Sequence, residues 1–94
     1  MGYRRNAKDA NQDEIIEALR KAGVSVTPTS QAGEGFPDIV CGRAGTNYLL
    51  EIKDGNKPPS AQKLTPKQRK WHKQWKGSAS IVNSVETALK AVGL

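Results

Sequence analysis

The sequence has few cysteines and no long hydrophobic run. Its single cysteine, Cys41, excludes an internal disulfide and disfavours a zinc site built from cysteines. No stretch approaches the length of a transmembrane helix, and Met1 to Asn6 lack the apolar run of a signal peptide. We therefore expect a cytoplasmic, intracellular protein that does not bind membranes. At 94 residues, the chain predicts a single domain, 1–94, with a thin core.

Acidic residues are missing from a long stretch of this basic chain. The formal net charge is +6, and no aspartate or glutamate lies between Asp54 and Glu86. Clustered positive charge is typical of proteins that bind a phosphate backbone, although solubilising charge is the alternative. The predicted basic helix carries too few large apolar residues to insert into an anionic membrane. The candidates for gripping nucleic acid without reading bases are Arg4, Arg5, Lys57, Lys63, Lys67, Lys70 and Lys73.

Residues 37–53 have the pattern of a β-hairpin. Two runs rich in aliphatic and β-branched residues flank a turn that contains glycine. Because alternate side chains of a strand share a face, Glu51 and Lys53 point the same way, away from the strand's apolar residues. Pairing of the two strands then sets Asp38 across from Glu51. Two carboxylates and a lysine on a rigid sheet form a candidate Mg²⁺ site, whereas an exposed, solvated pair is the alternative reading.

A cation at this site would have a definite chemistry toward a phosphodiester. It would polarise the ester, activate a water and neutralise the leaving oxygen. A lysine beside it would orient the water or stabilise the charge of the transition state.

The first predicted helix covers residues 7–22. Its apolar residues recur at helical spacing, and Gly23 marks its end. Glu14 lies at the margin of the apolar stripe, which makes it the acid of this helix best placed to reach a site on the sheet. An ordinary surface glutamate is the alternative.

The other predicted elements follow from turn and cap signals. Thr65 is a good N-cap, and Gln68, three residues later, completes a capping box for the second long helix, which we expect to end at Gly77. We expect Trp71 and Trp75 to pack that helix on the sheet, and His72 to be a packing or surface residue. The remaining predictions are a strand at Val24–Thr27 ended by Pro28, a loop at 29–36, a strand at 80–82 and a helix at 85–92.

Four blocks of the sequence resemble the PD-(D/E)xK nuclease superfamily, and within it the small stand-alone VRR-NUC proteins of phages and bacteria. The blocks are Glu14, Gly35-Phe36-Pro37-Asp38, Glu51-Ile52-Lys53 and Leu64-Thr65-Pro66-Lys67-Gln68. The resemblance implies an α/β fold with a restriction-endonuclease-like αβββαβ core and a C-terminal helix. It also implies an Mg²⁺- or Mn²⁺-dependent endonuclease.

The resemblance assigns roles to the residues of these blocks. Asp38 and Glu51 would be metal ligands, with Glu14 as a further ligand and the carbonyl of Ile52 completing the shell. Lys53 would be the catalytic lysine. Gln68 would lie near the scissile phosphate or hold the site, a role that competes with its capping role.

The resemblance also bears on partners and substrate. Stand-alone VRR-NUC proteins are similar to Holliday-junction resolvases, which implies a homodimer acting on branched, four-way DNA. Two other functions stay open: a DNA-binding module without catalysis, and a nuclease subunit that needs a partner protein.

Overall fold

The computed structural model of the protein describes residues 10–94. Within them the order is helix, three strands, helix, strand and helix, which confirms the predicted αβββαβ order with a C-terminal helix. Two 3₁₀ turns, Ser30–Ala32 and Pro59–Gln62, interrupt the long connections. The elements are α1 (Gln12–Lys21), β1 (Ser25–Pro28), β2 (Ile39–Arg43), β3 (Thr46–Ile52), α2 (Pro66–Gln74), β4 (Ser80–Val82) and α3 (Val85–Ala91).

The four strands form one mixed sheet in the order β1-β2-β3-β4. The first three are antiparallel neighbours, and β4 runs parallel to β3. The hairpin register pairs Ile39 with Leu50. Its turn has positive φ at Ala44 (52°) and Gly45 (79°), the backbone that a two-residue hairpin turn requires.

The hydrophobic core lies between one face of this sheet and the two helices α1 and α3. Each helix contributes an apolar stripe, because residues three and four apart fall on one side of a helix. The sheet contributes alternate residues of β2 and β3, which point to the same face. The buried apolar residues are Ile15, Ile16, Leu19, Val24, Ile39, Cys41, Leu50, Ile52, Val82, Ala88 and Val92. No helix within residues 10–94 is long and apolar enough to cross a membrane.

The element ends differ from the predictions by a few residues. α1 begins at Gln12, later than predicted, and residues 7–9 lie outside the described part. β1 runs through Pro28, which a strand at the sheet edge tolerates because a proline there forfeits no ladder hydrogen bond. α2 ends at Gln74, before Gly77, because Trp75 already has the extended backbone of a cap (φ −71°, ψ 128°).

The tryptophans of the second long helix do not join the core, and the helix contacts the sheet through Gln68 instead. No residue of α2 is buried, and neither Trp71 nor Trp75 belongs to the core cluster. The two tryptophans stack on each other instead, with ring centroids 4.6 Å apart, and both meet the edge of Phe36. The physical reason is that α1 and α3 already cover the apolar face of the sheet, which leaves α2 on the polar side.

Candidate functional site

The candidate site lies at the end of β3, on the face of the sheet opposite the core. Leu50 and Ile52 point into the core, so the alternation of the strand directs Glu51 to the other face. Glu51 is nevertheless only 2% exposed, and Lys53 is 8% exposed. Two charged side chains this deeply buried require polar partners, because burial of an unpaired charge is costly.

Gln68 of α2 supplies those partners. Its Oε1 accepts a hydrogen bond from Lys53 Nζ at 2.8 Å, and its Nε2 donates to Glu51 Oε2 at 3.1 Å. Lys53 Nζ lies 3.9 Å from the same carboxylate oxygen. One side-chain amide, on a helix without any buried residue, thus joins the carboxylate and the ammonium.

The same glutamine also caps its own helix. Gln68 Oε1 accepts from the amide of Thr65 at 2.9 Å, while Thr65 Oγ1 accepts from the amide of Gln68 at 3.2 Å, which confirms the predicted capping box. The capping contact and the site contact therefore do not compete. A carbonyl oxygen has two lone pairs, so Gln68 Oε1 can accept from the Thr65 amide and from Lys53 Nζ at the same time.

Asp38 lies beside the same segment of β3, at the entrance to β2. Its amide donates to Leu50 O at 3.1 Å, and its Oδ2 accepts from the amide of Ile52 at 2.7 Å. The carboxylate is therefore fixed against the backbone on either side of Glu51. Ile52 itself is a core residue, and its amide, through this bond, orients the aspartate.

A cavity of about 470 Å³ opens in front of Asp38 and Gln68. The loop before β2 forms one wall and the start of α2 forms the other. Ser30 and Gln31 of the loop lie along it. The lining residues are Ser30, Gln31, Gly33, Glu34, Gly35, Phe36, Asp38, Thr65, Lys67 and Gln68.

The two walls of this cavity meet at Gly35. Its φ is +81°, and a Cβ placed there would lie 2.4 Å from the carbonyl oxygen of Lys67. Only glycine allows this backbone conformation and this close approach together. Gly35 thereby sets the distance between Asp38 and the helix that carries Gln68.

Glu14 does not reach this cavity. It is exposed and lines a different cavity together with Asn56, Asn83 and Glu86. Within residues 10–94, no group of three or more histidine, cysteine, aspartate or glutamate side chains is placed to hold a metal ion. The structure therefore brings together Asp38, Glu51, Lys53 and Gln68, and leaves Glu14 apart from them.

The sequence did not predict the roles of two polar residues at the start of α1. The side-chain Nδ2 of Asn11 donates to Lys53 O at 3.1 Å and to Asn83 O at 3.2 Å, which connects the start of α1 to the end of β3. Gln12 is 3% exposed, and within the described residues its Oε1 has no hydrogen-bond partner. The signal for Gln12 was present, since it lies three and four residues before Ile15 and Ile16 on the apolar stripe.

Exposed basic residues flank the site. Lys67 lines the site cavity, and Lys70 and Lys73 line a neighbouring one of about 730 Å³ with Arg69 and Lys76. Lys57 and Lys63 are also exposed, and none of these lysines forms an ion pair within residues 10–94. The predicted contacts Arg4 and Arg5 lie outside the described residues.

Burial shifts the ionisation of two neutral groups. It lowers the pKa of His72 below the ordinary 6.5, with a smaller contribution from the charge of Lys53, so the imidazole is neutral near pH 7. His72 packs edge-on against Trp71 at 5.2 Å, in agreement with its predicted packing role. Burial also raises the pKa of the Cys41 thiol to about 11, consistent with an inert core residue.

The donor set suits a hard divalent cation. Mg²⁺ prefers carboxylate oxygens and water, and sites that act on phosphates hold it with one or two protein carboxylates plus the substrate's own oxygens. Glu51 of β3 and Asp38, directly before the neighbouring strand β2, provide such a pair. The two carboxylates therefore suit a divalent cation. Within residues 10–94 no third acidic side chain joins them as a ligand.

A search of solved structures finds the same fold in another protein. A structure described as a VRR_NUC domain superposes with a TM-score of 0.61, covers 85% of this chain and 91% of its own, and shares 20% sequence identity. No family model and no curated protein matches the sequence. The chain thus has a restriction-endonuclease-like α/β fold, and the predicted resemblance to VRR-NUC proteins is confirmed in its architecture.

Proposed function

We propose that this chain is a VRR-NUC-type endonuclease that hydrolyses phosphodiester bonds in structured or branched DNA with the aid of Mg²⁺ or Mn²⁺. One observation carries the proposal: Gln68 holds the buried Lys53 ammonium and the Glu51 carboxylate together, next to Asp38. A protein that only binds phosphate gains nothing from carboxylates that face its ligand. The shared fold with a VRR_NUC domain supports the same conclusion.

Each residue of the cluster has a separate task in this reaction. Asp38 and Glu51 would hold the cation, which would supply Lewis-acid activation of the ester. Lys53, whose ammonium is fixed by Gln68 at 2.8 Å, positions the attacking water and stabilises the negative charge that develops on the phosphate. The water attacks in line and displaces the 3′ oxygen.

The exposed lysines grip the DNA on either side of this centre. Lys67 lines the cavity itself, Lys70 and Lys73 line a second cavity along α2, and Lys57 and Lys63 are exposed on the segment between β3 and α2. Lysine contacts to phosphates give affinity and position without reading sequence. In this proposal the enzyme selects DNA by shape, and the homodimer with a four-way junction is its expected assembly.

The test is cleavage of an end-labelled four-way junction by the full chain. We expect cutting with Mg²⁺ or Mn²⁺ that stops with chelator. Lys53→Ala and Asp38→Asn should each lose activity on the order of 100-fold or more, with junction binding largely kept. Lys21→Ala is the matched control and should cut at the wild-type rate, since this lysine is exposed on α1 and lies outside both the cluster and the proposed DNA contacts. Wild-type cutting rates in both cluster variants would show that the assigned site is wrong.

The main alternative is a DNA-binding module without catalysis, which the unpaired lysine surface supports. It predicts binding that weakens steeply with salt, has no divalent requirement and yields no product. A subunit that needs a partner would be inactive alone and would cut when the partner is added. The cleavage test therefore separates the three functions.

A further inference from the structure

Three aromatic rings form a partly exposed cluster on the polar side of the sheet. We name Phe36, Trp71 and Trp75 the aromatic platform. Trp71 and Trp75 are stacked with an interplanar angle of 19°, and Phe36 meets them edge-on at 5.3 and 6.2 Å. Trp75 is 43% exposed, one of three large hydrophobic side chains in the described part with such exposure. The stack therefore ends in an indole that is open to solvent.

The aromatic platform is continuous with the candidate active site. Phe36 lines the site cavity together with Asp38 and Gln68, and its ring centroid is 6.2 Å from that of Trp75. Successive nucleotides of a strand are about 3.4 Å apart along the helix axis, so a strand that leaves the cavity reaches Trp75 within a few nucleotides. One strand can therefore place a base on Trp75 and a phosphate at Asp38.

The positive charge of the helix that carries Trp71 and Trp75 favours a nucleic acid as the occupant of the aromatic platform. Arg69, Lys70, Lys73 and Lys76 lie on the same helix or just beyond it, exposed and without ion pairs within residues 10–94. A second copy of this chain would bring the same positive charges against them. DNA instead offers phosphates for the lysines and base faces for the indole, the combination that single-strand binding proteins use.

We propose that the aromatic platform stacks an unpaired base of the DNA strand that enters the active site. This inference rests on the proposed nuclease function and narrows its substrate class to DNA with unpaired bases beside the scissile phosphate, as at flaps and branch points. The bases of a perfect duplex are held within its own stack and do not reach Trp75. Stacking on an aromatic face is tolerant of sequence, so the selection is for structure.

The test is binding without divalent cations, so that no cleavage intervenes. The probes are a single-stranded oligonucleotide with one 2-aminopurine and a blunt duplex of the same sequence. With wild-type protein, 2-aminopurine fluorescence should be quenched in the single strand and unchanged in the duplex. Trp75→Ala should weaken single-strand binding about tenfold and change duplex binding less than about twofold.

Three further variants control this experiment. Trp75→Tyr keeps a stacking face and should restore most of the single-strand affinity. Leu94→Ala removes a side chain that is 48% exposed beside α3 and should change neither probe. Lys73→Ala should weaken both probes and lower the salt slope by about 1, because it removes a phosphate contact. Circular dichroism confirms that each variant is folded.

Two results would overturn the inference. One is a Trp75→Ala variant that binds both probes as wild type does or loses affinity for both equally. The other is a Trp75→Ala variant that converts a dimer into a monomer in sedimentation, which would place the indole in a subunit interface. Either result leaves the nuclease proposal standing, whereas a wild-type protein that shows stacking but never cuts would refute the nuclease proposal alone.

Discussion

Truncation of Gln68 is the sharpest perturbation that this structure offers. Gln68→Ala removes side-chain hydrogen bonds of 2.8 Å to Lys53, 2.9 Å to Thr65 and 3.1 Å to Glu51. Two of these involve charged partners, and such bonds contribute about 1.5–3 kcal/mol each. Water that enters the truncated site restores part of the loss. We therefore expect the free energy of unfolding to fall by about 2–4 kcal/mol.

The measurement is urea unfolding together with thermal melting. In a domain of this size 1 kcal/mol corresponds to about 4–8 °C, so the melting temperature should fall by at least about 8 °C. Gln74→Ala is the matched control: it is the same change at the exposed end of the same helix, and it should stay within about 0.5 kcal/mol of wild type. If the two variants lose equal stability, Gln68 does not hold the cluster together, and the basis of the proposed site fails.

Three further predictions concern the loop, the thiol and the histidine. Gly35→Ala should destabilise the fold by about 3 kcal/mol in urea unfolding, because its Cβ would meet Lys67 O at 2.4 Å, whereas Gly23→Ala, with φ +89° and open space after α1, should cost only about 1 kcal/mol of backbone strain; equal losses would contradict the close approach. Cys41, 1% exposed and with its pKa raised to about 11, should not react with a thiol reagent at pH 8 until urea unfolds the chain; rapid native reaction would show that the core is open there. The NMR titration of His72, the sole histidine, should give a pKa below 6.5. Because the unfolded chain takes up this proton at a higher pH than the folded chain does, the neutral imidazole should contribute fully to the free energy of unfolding above about pH 6.5 and less at lower pH. A His72→Gln variant whose stability has the same pH dependence as wild type would refute this.

The sequence predicted the elements that depend on local signals. Alternation along β3 and the glycine-containing turn gave the hairpin register, and it placed Asp38 beside the segment that carries Glu51. Thr65 and Gln68 gave the start of α2, because a capping box is encoded within four residues. The αβββαβ order followed from these signals and from the resemblance to VRR-NUC proteins.

The features that the sequence did not predict depend on which helix and sheet faces pack against each other. Helical periodicity placed Glu14 at the margin of an apolar stripe, yet the packing of α1 turns it toward a separate cavity. We predicted that Trp71 and Trp75 pack α2 on the sheet, but α1 and α3 occupy its apolar face, and the two rings stack on each other instead. The close approach of Gly35 to Lys67 joins two segments 32 positions apart, and no local pattern encodes it.

The absence of buried residues in α2 has a consequence for how the molecule opens. α2 is attached through hydrogen bonds and through the ring contacts with Phe36, with the apolar core on the far side of the sheet, so we expect it to detach before the rest unfolds. Native-state hydrogen exchange should therefore show a lower opening energy at the Arg69 amide, bonded to Thr65 O, than at the Lys53 amide, bonded to Val82 O. Each time α2 detaches, the Lys53–Gln68 hydrogen bond breaks while the strands stay folded. A ligand that binds between α2 and the sheet will therefore raise the exchange protection of the α2 amides before that of the strands.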